Sequence, residues 1–181
     1  MALRPSLNQS PLRFAAPYVG VRLSMDISRA SFLILLAVFI CPAMATDNND
    51  PFCKPINAFV ESIKPDETHE ITFLTAWGSN FKGNSEPVLS AKRCEYEGYE
   101  PASLACKALM ESASVEFAGK NAMRVVSCLS PETQFASGIQ LKNVSLYFSH
   151  GTDERGSDIV VELAEDKALG AMVLKVVASG Y

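Results

Sequence analysis

The chain has 181 residues, 48% of them apolar, and its 16 basic and 20 acidic side chains leave a net charge of −4. That apolar share excludes a mainly disordered chain, and the length fits one domain with room for a removable segment. The acidic balance excludes a surface built for non-specific nucleic-acid binding, which depends on clustered cations that displace counterions.

Residues 1–24 carry Arg4, Arg13 and Arg22 and no acid. The composition is that of an organellar transit peptide, yet it runs directly into an apolar stretch. Translation from Met25 gives a simpler leader, with M-D-I-S-R-A-S placed before Phe32–Ile40 (F-L-I-L-L-A-V-F-I). Pro42 follows, and Ala43 and Ala45 of A-M-A supply the small residues that signal peptidase requires. A basic start, a short apolar core and an A-x-A site together describe a secretory signal peptide. A membrane span needs about 20 apolar residues, and this run is cut short by Pro42, Asp47 and Asp50. Lipidation at Cys41 is disfavoured by the bulky Val38-Phe39-Ile40 before it. Residues 1–45 are therefore expected to be a signal peptide. Residues 46–181 are expected to form a single secreted or periplasmic domain with no stable membrane anchor. The leader holds four arginines against Asp26 alone, so its removal leaves a more acidic protein.

Asp50-Pro51 reads as an N-cap followed by proline at the first helical position. Phe52, Ile56, Phe59, Val60 and Ile63 recur at helical spacing, which predicts an amphipathic helix over 51–64 closed by Pro65-Asp66. Glu70–Trp77 is rich in strand formers, and 78–87 is a polar loop. A second helix is predicted over Pro101–Ser112, with Gly119 closing the turn after Val115-Glu116-Phe117. Four strands then follow, at Ala122–Leu129, Ile139–Phe148, Ser157–Ala164 and Ala171–Ala178. In the second of these the alternation slips by one residue, which predicts a bulge at Lys142-Asn143. The order α-β-α-β-β-β-β specifies an α+β fold. It has an antiparallel sheet of four to five strands, about two helices on one face and a C-terminal meander.

Loss of Cys41 with the leader leaves Cys53, Cys94, Cys106 and Cys128. An even number of cysteines in an exported chain implies two disulfides. Four cysteines allow three connectivities; Cys94–Cys106 with Cys53–Cys128 is favoured, the first closing a short loop and the second tying the first helix to a core strand. A zinc site is the rival use, but no C-x-x-C or paired histidine accompanies them.

Signatures of catalysis are sparse. G-x-G-x-x-G, the phosphate-binding G-x-x-x-x-G-K and G-x-S-x-G are all absent. His69-Glu70 opens like a zinc-protease motif, but Phe73 stands where the second histidine belongs. Ser79-x-x-Lys82 matches the S-x-x-K of penicillin-binding enzymes without its companion motifs. A serine triad would have to use His69 or His150, with Asp66, Asp153 or Asp158 as orienter. Asp153, Glu154 and Asp158 could attract calcium, but Arg155 sits among them and the spacing is not that of an EF-hand, so a polar hairpin loop is the preferred reading. Asn143-Val144-Ser145 fits the N-glycosylation acceptor. No cofactor and no metal are implied.

Two stretches stand out as binding candidates. Trp77-Gly78-Ser79-Asn80-Phe81 places the sole tryptophan and a phenylalanine around a flexible glycine. Glu95-Tyr96-Glu97-Gly98-Tyr99-Glu100 alternates acids and tyrosines beside Cys94. Rigid aromatics act as binding anchors, and rim acids steer a basic partner. The competing reading puts the aromatics in the core and leaves the acids as solubilising charge. The sequence thus describes a small exported protein-binding module, of inhibitor or immunity type, whose partner is another protein and a basic one. A small periplasmic hydrolase using His69 or His150, and a structural envelope component, are the alternatives.

Overall fold

A computed structural model of the chain describes residues 50–181; the expected leader and its cleavage site lie outside the described residues. The elements are α1 (Cys53–Glu61), β1 (Thr68–Trp77), β2 (Ser90–Glu95), α2 (Ser103–Ser112), α3 (Ala118–Leu129), β3 (Val144–Gly151), β4 (Gly156–Asp166) and β5 (Ala171–Gly180). A short 3-10 turn, Glu100–Ala102, leads into α2. The strands form one antiparallel sheet in the order β2-β1-β5-β4-β3. The fold is α+β, with β3, β4 and β5 making the C-terminal meander.

Strand alternation divides the sheet into two faces. Ile71 and Phe73 of β1, Ile159, Val161 and Leu163 of β4, and Leu174, Val176 and Ala178 of β5 turn to one side. There they meet Ile56, Phe59 and Val60 of α1, Leu109 of α2, and Val125, Val126 and Leu129 of α3, all buried. Because β2 and β3 are opposite edges, the chain between them must cross the sheet. It does so over this face, as α2 and α3.

Both disulfides form as favoured, Cys53–Cys128 and Cys94–Cys106. The first ties α1 to α3 and not, as expected, to a strand, because Ala122–Leu129 is helical. Its buried residues Ala118, Ala122, Val125 and Leu129 follow a helical period, which outweighs the β-branched pair Val125-Val126. The predicted strand there is corrected accordingly. Gly119 is also corrected: it sits in the first turn of α3, where a side chain would strike the backbone of Leu141. The strand expected from Ile139 starts only at Val144, so no bulge occurs at Lys142-Asn143; Ile139 and Leu141 lie in the approach to β3. Asn143 is exposed just before β3.

The start of α1 shows one more difference. Asp50 Oδ1 accepts from the Phe52 N–H at 2.9 Å, and the Cys53 N–H reaches the Asp50 carbonyl at 2.9 Å, so a tight turn precedes the helix proper. The same carboxylate takes two hydrogen bonds from Arg124 of α3, Nε at 2.8 Å and Nη2 at 2.7 Å. Arg124 also donates to the Ser112 carbonyl at the end of α2 (2.9 Å) and lies over the Phe52 ring at 4.2 Å. One guanidinium therefore clamps all three helices. The Arg124 hydrogen bonds lower the Asp50 pKa against an opposing burial effect.

Candidate functional site

Trp77 ends β1 on the helix-bearing side of the sheet, two residues beyond Thr75, and its side chain is 53% exposed. Lys92 of β2 stands opposite Thr75 and donates from Nζ to the Met110 carbonyl at 2.9 Å. That bond brings the end of α2, with its exposed Met110, to the same end of the sheet as Trp77. Partial burial pushes the Lys92 pKa down.

The loop after Trp77 is fastened at several points. The Gly78 N–H reaches the Leu89 carbonyl at 2.8 Å, and Asn80 Nδ2 reaches the Glu86 carbonyl at 3.0 Å. Lys82 donates from its backbone to Leu169 (2.8 Å) and from Nζ to the Lys167 carbonyl (2.6 Å), pinning the loop to the β4–β5 turn. Phe81 is half-buried, with the Arg93 guanidinium 5.2 Å from its ring centre. Arg93 stands opposite Leu74, so Phe81 lies against the outer face of the sheet. Trp77 is left as the exposed aromatic on a braced support, and Lys82 is committed to a carbonyl rather than to Ser79.

The acidic stretch occupies the other end of β2. Glu95 is the last strand residue, and Glu97 (φ 48°) and Gly98 (φ 78°) turn the chain into the segment leading to α2. Glu95, Glu97 and Glu100 are exposed, with Glu95 held by Arg93 Nε at 2.9 Å. The two tyrosines are used internally. Tyr99 stacks on His69 at 3.6 Å between ring centres, meets Phe59 edge-on at 6.2 Å and donates its hydroxyl to the Ser62 carbonyl at 3.2 Å. Tyr96 is half-buried against the core. Trp77, at the end of β1, stands opposite Ser90 at the start of the edge strand β2, and Glu95 ends that strand about 17 Å away at the usual strand rise. Glu95 is opposite Thr72 and turns to the outer face, whereas Trp77 is on the helix-bearing side.

The histidines face other work. His69 lies under Tyr99 with Nε2 3.7 Å from Glu67. His150 donates from Nδ1 to the Leu129 carbonyl at 2.8 Å, because a carbonyl only accepts. Ser157 stands opposite His150, but its hydroxyl is directed to the Val60 carbonyl at 3.5 Å. Among the described residues neither imidazole is hydrogen-bonded to a serine, and no three His, Cys, Asp or Glu side chains converge as a metal site. No described helix is long and apolar enough to cross a membrane.

Sequence reasoning missed a groove of about 610 Å³ beside the start of α3, lined by Phe117, Met123, Ile139, Leu141 and Met172. Lys120 Nζ lies 4.5 Å from the Phe117 ring centre at its rim. The alternation of Ile139 and Leu141 was the available signal, and it marks a loop closing on a helix as readily as a strand.

The chain matches no protein-family model, no curated protein and no solved structure.

Proposed function

We propose that this chain is a small exported, disulfide-stabilised module that binds a basic protein along the β2 edge of its sheet. The carrying observation is Trp77, an aromatic left 53% exposed at a strand end whose neighbouring loop is tied down by hydrogen bonds. A large rigid side chain held in place loses little freedom when it docks, which is the property of a binding hot spot. Glu95, Glu97 and Glu100, at and beyond the far end of the neighbouring edge strand β2, supply the acidic rim that steers a basic partner around that edge. A spacing of about 17 Å fits well within a standard interface footprint of about 800 Å² per partner. Export is supported by the A-M-A site after an apolar core and by two disulfides, which persist in oxidising compartments.

The test is capture from an extract of the producing organism's own cell envelope and medium, with native protein and with Trp77→Ala as bait. A specific protein held by the native bait and lost with Trp77→Ala is the expected result. Equal recovery by both baits contradicts a Trp77-centred site, and recovery of nothing moves the reading to a structural envelope component.

A further inference from the structure

The two edges of the sheet are built differently. β2 is six residues long and carries Lys92, Arg93 and Glu95, charges that discourage another strand from pairing there. β3, the other edge, has eight residues, V-S-L-Y-F-S-H-G, with no Lys, Arg, Asp, Glu or Pro and an unbroken register against β4. Among the described residues no strand lies beside its outer backbone groups. Val144, Leu146 and Phe148 turn toward the helices but are only partly buried, so the core stays open along this edge. On the other face Tyr147 is 68% exposed. The nearest acids sit one strand back and are engaged by β3 itself, Asp158 by Ser149 (2.8 Å) and Glu162 by Ser145 (3.5 Å).

Ser145-Leu146-Tyr147-Phe148-Ser149 reads chemically the same in both directions about Tyr147. An antiparallel copy centred there sets Tyr147 against Tyr147, each Ser145 against a Ser149, and each Leu146 against a Phe148. Within these five residues every pair is polar with polar or apolar with apolar; beyond them Val144 meets His150, and no like charges meet. A two-fold contact demands this self-complementarity. We infer that β3 pairs with β3 of a second copy of this chain, antiparallel and centred on Tyr147, to make one ten-stranded sheet across a symmetric dimer. The pairing satisfies the free edge and completes the cover over Leu146 and Phe148. It is independent of the proposed β2 contact, because β3 is the opposite edge.

Sedimentation of the exported, disulfide-intact protein, freed of its leader, at micromolar concentration should give the mass of two copies. Tyr147→Lys, which sets two ammonium groups face to face on the axis while altering an exposed side chain, should halve that mass and leave the circular dichroism unchanged. A second pair of variants reads the register and does not depend on the first. Residues directly opposite place their Cβ atoms about 4.5–5.5 Å apart, near disulfide reach. Tyr147→Cys should therefore form a covalent dimer on mild oxidation, whereas Ser149→Cys, which faces Ser145, should not. A monomeric native protein, a Tyr147→Lys dimer, or equal cross-linking by Ser149→Cys would each overturn the inference.

Discussion

Gly119 shows how one residue can reverse a general rule. An exposed glycine in a helix costs roughly 1 kcal/mol relative to alanine, so replacement usually stabilises. Here a Cβ would meet the Leu141 backbone, which cannot swing aside as a flexible side chain can. Gly119→Ala should lower stability by about 1–3 kcal/mol in urea unfolding; a gain would mean that the loop before β3 yields freely. The tyrosines carry a related lesson. Alternation of acid and aromatic in 95–100 identified the exposed glutamates but could not tell a surface tyrosine from an internal one. Tyr99 is held by His69, Phe59 and Ser62, contacts from residues 30 to 40 positions earlier that no local pattern reveals. Trp77 was ambiguous for the same reason, and its exposure is a tertiary fact.

Elements with strong periodicity and punctuation were legible: α1 from its apolar spacing and Pro65, β1 from its strand formers, and the β4–β5 hairpin from its alternation. Two were not. S-A-K-R-C-E has little intrinsic strand preference, and β2 exists because β1 offers it a pairing edge. In α3 the sequence G-K-N resembles a turn, yet Asn121 is buried with both ends of its amide bound to the Ser114 backbone: Oδ1 accepts from the Ser114 N–H at 2.9 Å and Nδ2 donates to the Ser114 carbonyl at 2.7 Å. The helices also share the Asp50–Arg124 clamp, whose side chains are 29% and 27% exposed. Asp50→Asn keeps a capping oxygen but loses the charge pair, and should cost about 1–3 kcal/mol at neutral pH. Because the folded pKa of Asp50 is lowered, its contribution is complete above the unfolded value of about 3.9 and is lost as pH falls through the folded one. Unfolding measured from pH 7 down to pH 3 should therefore show the gap between native and variant narrowing; a constant gap would show that the charge contributes nothing.

At the scale of the whole molecule, the crossover from β2 to β3 sets the organisation. It lays α2 and α3 on one face, staples β2 to α2 through Cys94–Cys106 and leaves, among the described residues, two edge strands of different character. The proposed contact joins Trp77, at the end of β1 beside the charged edge, to the acids at the far end of β2, and the two should act on different rates. Rim charges act on encounter, whereas a docked aromatic governs release. With the captured partner immobilised, replacing Glu95, Glu97 and Glu100 by glutamine should slow association and leave dissociation nearly unchanged. Trp77→Ala should speed dissociation, at a cost of about 2 kcal/mol. The most direct measurement is the association rate of the native protein as salt is raised from 0.1 M to 1 M, which shortens the screening length from about 10 Å to about 3 Å. A steep fall that disappears in the triple glutamine variant is the predicted result, and an association rate indifferent to salt would contradict the β2 edge as the surface that receives a basic partner.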